Sequence, residues 1–175
     1  MAFTPEDGTG IPNANSYVDL PFADGYFDER NNSDWLTLTG RSKRAYLIAA
    51  TDYIDMRWGP LFASEPVSIA QGLQFPRVGF VNPMGLPIIP IQLMRATCEY
   101  ALRASVAPLA PDIEQDPSGF QVSRRMEKLG PIEERTDFAF LGPGAKRQIL
   151  RAYPAADLLL APFLRKIAGG RTIRN

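Results

Sequence analysis

The sequence predicts a mainly α-helical protein: a small helical bundle with one projecting β-hairpin and extended N- and C-terminal arms. Three observations lead to this prediction. In two long segments, apolar residues recur at steps of three and four, which is the period of an α-helix. A charged segment between two proline- and glycine-rich stretches is typical of paired strands. The N-terminal residues are rich in Gly, Pro and Asn and show no periodicity, which is typical of an arm.

Composition places the chain among globular proteins. It has 175 residues, of which 45% are apolar and 22% charged, so a sizeable core is possible. The formal net charge is zero, and bulk charge therefore predicts neither a nucleic-acid nor a membrane partner. No apolar run approaches about 18 residues and no signal-like segment is visible, so the cytoplasm of the producing cell is the expected compartment.

The two ends of the chain carry opposite charge. Residues 1–35 hold seven acids and one base, and residues 141–175 hold seven bases and one acid. Two solvated ends would explain this distribution. The alternative is that the acidic end of one subunit contacts the basic end of its neighbour, because complementary charge orients such contacts.

Two helices are predicted before residue 60. Residues 1–15 are predicted to be a flexible arm. Asp19 is a good N-cap for a first helix that runs to about Arg30. Thr39 is a plausible cap for a second helix over residues 41–57, with Leu47, Ile54 and Trp58 along one stripe. Gly and Pro at positions 59 and 60 end that helix.

A third helix is predicted over residues 90–106, preceded by an extended apolar segment at residues 73–79. The predicted buried face of this helix consists of Ile91, Met94, Cys98, Ala101 and Ser105. A fourth helix is predicted to begin near Pro154 or Ala155, and Pro162 should kink or divide it.

These elements divide the chain into four predicted parts. Residues 1–15 are an arm, and residues 16–107 form the helical core domain. Residues 108–145 hold a linker and a β-hairpin, in which residues 120–128 and 132–138 pair around a Gly-Pro turn. Residues 146–175 hold the C-terminal helix and a basic tail.

No catalytic constellation is visible, so the protein is predicted not to be an enzyme. The chain has no histidine, the commonest general base and metal ligand. Its single cysteine, Cys98, lies on an apolar helix face and indicates a buried, inert thiol. Asp52 and Asp55 lie one turn apart, a spacing typical of a solvated face. No cofactor and no metal is predicted.

Cations supply the remaining candidate sites. The hairpin carries Arg124, Arg125 and Lys128, which are candidate DNA-contacting residues because Lys and Arg near phosphates provide sequence-independent affinity. Single-strand binding would also need aromatic stacking platforms. The aromatic residues fall mostly in predicted helices, where core packing is the expected role.

The order of several motifs resembles a family of small tailed-phage proteins. The resemblance covers about residues 15–163, and the motifs lie at residues 15–18, 47–55, 73–79, 88–90, 96–99, 128–133 and 153–159. This family is often labelled DnaT-like single-stranded-DNA-binding protein. It is also similar to the head-to-tail connector (adaptor) proteins beneath the phage portal.

The two labels imply different functions. The connector label implies a virion neck protein that is made in the host cytoplasm. It would form a homo-oligomeric, dodecameric ring, and its partners would be the portal protein and the next neck or tail protein. Double-stranded DNA would pass through its channel, lined by Arg124, Arg125 and Lys128. Candidate subunit or portal contacts are Phe75, Arg77, Arg165, Lys166, Arg171 and Arg174. From the sequence we expect the connector function. The alternative is a DnaT-like single-stranded-DNA-binding accessory protein of replication.

Overall fold

The protein is mainly helical in this computed structural model, which describes residues 2–112, 122–128, 133–138 and 150–165. For the two segments between 122 and 138 it describes the backbone. Five α-helices lie in the described residues: α1 (Leu20–Asp28), α2 (Ser33–Leu36), α3 (Gly40–Trp58), α4 (Ile91–Ala104) and α5 (Pro154–Leu160). None of the helices in these ranges is long and apolar enough to cross a membrane.

The helix starts follow the local capping signals. The Asp19 carboxylate accepts a hydrogen bond from the backbone N–H of Phe22, and the Thr39 hydroxyl accepts one from Ser42. Both caps were predicted, because a cap depends only on residues in the first helical turn. The short helix α2 was not predicted. Its cap is Asn32, and it directs Trp35 into the core, where the indole is fully buried against Phe27.

The main helical layer consists of α4 between α3 and α5. Fully buried Leu47 and Ile54 of α3 and Leu93 of α4 supply its apolar core. The buried face of α4 is rotated relative to the prediction: Cys98 and Ala101 are buried, but Ile91 is 41% exposed. Trp58 is half-buried, and its indole N–H donates to the Tyr100 hydroxyl at 2.9 Å.

Helix α5 ends in a 3-10 turn over Ala161–Phe163. This confirms the predicted division at Pro162, since a proline inside a helix removes a backbone donor and clashes with the preceding turn. After the turn, the chain pairs with residues 61–63: the N–H of Ala63 donates to the carbonyl of Phe163 at 2.8 Å, and the N–H of Arg165 donates to that of Leu61 at 2.8 Å.

Residues 2–15 differ from the predicted flexible arm, because a buried carboxylate organises them. Glu6 is 6% exposed and accepts hydrogen bonds from the backbone N–H groups of Gly8, Gly10 and Ile11 at 2.8–3.0 Å. Gly8 has a φ of +102°, and a Cβ there would lie 2.7 Å from the carbonyl oxygen of Pro87. The segment therefore packs on the loops that precede α4.

Two strands, β1 (Val122–Lys128) and β2 (Glu133–Phe138), pair antiparallel. Residues 129–132, which join them, lie outside the described residues, so the predicted projecting hairpin stays a prediction. The chain divides into two compact units, residues 1–109 with 152–175 and residues 110–151. The two chain segments of the first unit meet where the Tyr153 hydroxyl donates to the carbonyl of Leu109 at 3.2 Å.

Candidate nucleic-acid interface

An open groove between α1 and α4 combines aromatic and cationic side chains. It has a volume of about 290 Å³. Its walls include Phe22, Tyr26, Glu29 and Arg30 from α1 and its C-terminal end, and Ile91 and Arg95 from the first turns of α4. Phe22, Tyr26 and Arg30 follow one another at steps of four residues, which places them along one side of the helix.

Helix α1 exposes this row because its opposite side is anchored in the core. Ala23 and Phe27 are buried, and the ring of Phe27 lies 4.7 Å from that of Trp35. Asp24 fixes the helix further, since its carboxylate accepts from the Trp35 indole at 2.9 Å and from the Lys43 ammonium at 2.8 Å. Phe22 and Tyr26 are consequently left half-buried at the groove.

The Arg30 guanidinium stacks on the ring of Tyr26. Its central carbon lies 3.6 Å from the ring centroid, and one of its nitrogens donates to the carbonyl of Tyr26 at 2.8 Å. A guanidinium on an aromatic face is a cation–π contact. The outer face of the guanidinium plane is a surface on which a base can stack, as Arg does in single-strand binders.

A second set of contacts fixes the Tyr26 ring. The Tyr26 hydroxyl donates to Glu99 at 2.8 Å, and the same carboxylate pairs with Arg103 at 2.7 Å. Burial, followed by the hydrogen bond to Glu99, raises the pKa of Tyr26 to about 12. The hydroxyl therefore stays protonated, and the ring is held in one position relative to α4.

The groove favours anions. Arg30 and Arg95 line it together with one acid, Glu29, whose carboxylate lies 3.9 Å from the Arg30 guanidinium. Arg95 is exposed and has no ion-pair partner among the described residues. An exposed arginine beside a stacking platform can bind a backbone phosphate through charge-assisted hydrogen bonds.

The residues predicted as subunit or portal contacts have other positions. Phe75 is fully buried and packs on Phe62 at a centroid distance of 5.0 Å. Arg77 is 3% exposed, and its guanidinium donates to the carbonyls of Ala63 and Gln74 at 3.0 and 3.1 Å. Neither side chain is available to a second molecule on the protomer surface, because Phe75 packs against other rings in the interior and Arg77 donates to backbone carbonyls there.

The remaining cationic candidates are only partly described. The side chain of Arg165 is 59% exposed, and its Nε donates to the carbonyl of Phe62 at 3.0 Å. Lys166, Arg171 and Arg174 lie outside the described residues. In the strand register, Arg124 is opposite Asp137, Arg125 is opposite Thr136, and Lys128 is opposite Glu133. The strand pairing thus places two of these three cations opposite acids.

Two polar networks elsewhere have a structural role. Asp55 accepts from the Tyr17 hydroxyl and from the backbone N–H of Gln74 at 3.0 Å. Asp157 accepts from the Tyr100 hydroxyl and lies 3.4 Å from Arg57. Within the described ranges, no group of three or more Cys, Asp or Glu side chains is placed to hold a metal ion.

The comparison with known families decides between the two labels. All of residues 1–175 match the family described as "Putative DnaT-like ssDNA binding protein". The chain belongs to this family. No curated protein and no solved structure matches this DnaT-like chain.

The family match corrects the expected function. The interpretation of this DnaT-like protein as a phage head-to-tail connector is wrong, because the match supports neither a portal or tail partner nor a dodecameric ring. The family match spans all of the segments that carry these motifs. The virion location accompanied the connector interpretation and stays an untested expectation.

Sequence reasoning missed the groove because it assigned the helix aromatics to the core. A signal was present: Phe22, Tyr26 and Arg30 form an aromatic, aromatic, cationic row at helical spacing. A buried row would not end in an arginine. The contribution of α4, through Ile91 and Arg95, could not be read from the sequence, because it depends on the packing of two helices distant along the chain.

Proposed function

We propose that this protein binds single-stranded DNA in the groove between α1 and α4, as an accessory of DNA replication that acts by binding and not by catalysis. Membership of the DnaT-like family supports the ligand class. The observation that supports the position is the Arg30 guanidinium stacked 3.6 Å from the centre of the Tyr26 ring in an open groove.

The geometry favours a single strand over a duplex. Base faces are accessible in an unpaired strand and hidden in a stacked duplex, and a stacking platform needs an accessible base face. A base can stack at Arg30 and Tyr26 while Arg95, on the facing helix, contacts a phosphate. Phe22 and Ile91 provide apolar surface on either side of the groove.

The basic segments outside the groove would add phosphate contacts. Arg165 with Lys166, Arg171 and Arg174 forms one such segment, and Arg124, Arg125 and Lys128 form another on the β-hairpin that we propose for residues 122–138. Contacts of this kind raise affinity without regard to sequence, and salt weakens them. They would hold the strand, and the groove would select unpaired bases.

The test is a fluorescence-anisotropy titration of a labelled oligonucleotide with the full chain. Base stacking contributes about 1–3 kcal/mol per base, so Tyr26→Ala should raise the Kd roughly 5- to 150-fold. Tyr26→Phe keeps the ring and loses only the hydrogen bond to Glu99, and it should retain affinity close to that of the wild type. Tyr46→Ala is the matched control, because Tyr46 is a half-buried tyrosine that does not line the groove.

Two results would contradict the proposal at different levels. A folded Tyr26→Ala variant with wild-type affinity would remove the groove from the binding site and leave the basic segments as the contact. Equal affinity of the wild-type protein for single-stranded and duplex oligonucleotides of the same length would refute selective single-strand binding itself.

A further inference from the structure

The loops between α3 and α4 expose an unusual amount of apolar surface. Within residues 66–90, six large apolar residues are between 41% and 107% exposed: Val67, Ile69, Val78, Val81, Met84 and Leu86. We call these six residues the apolar loop face. Their summed exposure equals that of about four fully accessible large side chains, on the order of 700 Å².

Backbone hydrogen bonds bring these loops together. Residues 66 and 77 pair antiparallel, with the N–H of Val67 donating to the carbonyl of Pro76 at 3.1 Å. Val81 pairs with Pro87, which closes the turn that carries Met84. The N-terminal segment lies against both loops: the carbonyl of Ile11 accepts from the N–H of Gly72 at 3.1 Å, and a Cβ on Gly8 would lie 2.7 Å from the carbonyl oxygen of Pro87. The six residues therefore belong to one connected loop region.

The apolar loop face has one ion pair at its edge: Glu65 and Arg165 are 80% and 59% exposed and lie 3.8 Å apart, next to Val78, whose N–H donates to the carbonyl of Glu65 at 2.9 Å. Between Glu65 and Arg95 the sequence has one charged residue, Arg77, and its side chain is buried. The cation at this edge is paired with an acid, so the surface has no net positive charge to attract a polyanion, which argues against nucleic acid as its occupant. Because the two edge charges are opposite, a second copy of the face can approach without net electrostatic repulsion.

We propose that the apolar loop face is a self-association surface, and that its occupant is a second copy of this chain related by a two-fold axis. The summed exposed area of its six residues, on the order of 700 Å², is close to the roughly 800 Å² per partner that a stable protein interface buries. An isologous two-fold dimer buries the same patch on both copies and leaves no apolar loop face exposed. The proposal does not depend on DNA binding, because the face contains none of the groove residues.

The dimer would have a consequence for ligand binding. Each protomer carries its own α1–α4 groove, so a dimer presents two grooves to one strand. Binding of the strand in one groove makes binding in the second intramolecular, which raises the apparent affinity for an oligonucleotide long enough to reach both.

The first test is sedimentation velocity of the full chain over a range of concentrations. We expect a monomer–dimer equilibrium in the wild type, and a shift to monomer in Ile69→Asp and in Met84→Lys. Val106→Asp is the matched control, because Val106 is 83% exposed and outside the face. Its dimerisation should equal that of the wild type.

A second measurement does not depend on disrupting the face. The only native cysteine, Cys98, is fully buried, so maleimide labelling of Ile69→Cys reports on the new thiol alone. The labelling rate should fall as protein concentration rises, whereas that of Val106→Cys should stay constant. A wild type that stays monomeric at all concentrations, or a dimer unaffected by both charge variants, would overturn the proposal. Binding of a short oligonucleotide by Ile69→Asp should be unchanged, which separates this test from that of the groove.

Discussion

Asp55 should make the folded protein more stable in mild acid than at neutral pH. Burial raises the pKa of its carboxyl from 3.8 to about 6, although the hydrogen bonds from Tyr17 and from the backbone of Gln74 act in the opposite direction. The folded state thus binds this proton more tightly than the unfolded chain does. The contribution to stability is fully present below about pH 4 and is lost as the pH rises through about 6.

The size of the effect follows from the two pKa values. The full difference corresponds to about 3 kcal/mol of unfolding free energy, of which about 1.4 kcal/mol is gained on going from about pH 7.5 to about pH 5. The chain has no histidine, so few other side chains titrate in this interval. Asp52, whose pKa is also raised by burial, contributes in the same direction.

The assay is urea unfolding of the wild type and of Asp55→Asn at both pH values. The amide cannot titrate, so the difference between the two pH dependences isolates Asp55 and leaves Asp52 in the background. We expect the wild type to gain about 1.4 kcal/mol more than the variant as the pH falls. Equal dependences would show that the two hydrogen bonds cancel the effect of burial, and a wild type that loses stability relative to the variant would show that they outweigh it; either result would refute the reasoning.

Three further predictions address the core, the N-terminal segment and the groove. Trp35→Ala should lower the unfolding free energy by about 3–5 kcal/mol, because the indole is fully buried; Leu36→Ala, at a 38% exposed neighbour, should cost much less in the same denaturation assay. Glu6→Ala removes the acceptor of three backbone N–H groups, so limited proteolysis should cut the variant within residues 2–15 and spare the wild type; equal resistance would contradict the role of the carboxylate. Arg95→Gln should reduce the salt dependence of single-strand affinity by about 0.7 in the logarithmic slope, whereas exposed Arg44→Gln, outside the groove, should not; equal slopes would remove Arg95 from the phosphate contacts.

The sequence predicted those features that depend on neighbouring residues. Asp19 and Thr39 start helices because a cap bonds to the turn that directly follows it. Pro162 divides the last helix for a similarly local reason. The mainly helical character followed from these signals and from the apolar period.

The features that sequence reasoning missed depend on partners far along the chain. Arg77 was predicted on a surface, but its guanidinium donates to the carbonyls of Ala63 and Gln74, and no local pattern signals that fit. Glu6 lies in a segment without periodicity, and its burial depends on hydrogen bonds from the backbone N–H groups of the turn that follows it. The groove likewise required knowledge of where α4 packs on α1.

The contact between Tyr153 and Leu109 has a consequence for how the chain is built. The chain leaves the helical unit after Leu109 and re-enters it at residue 152, so those two points are neighbours in space although 42 residues separate them. Residues 110–151 are therefore a module inserted at one position of a closed unit. A short glycine–serine bridge in their place should let the helical unit fold by itself. Such a variant would retain the α1–α4 groove without Arg124, Arg125 and Lys128, so the two DNA-contact proposals could be measured separately in otherwise identical proteins.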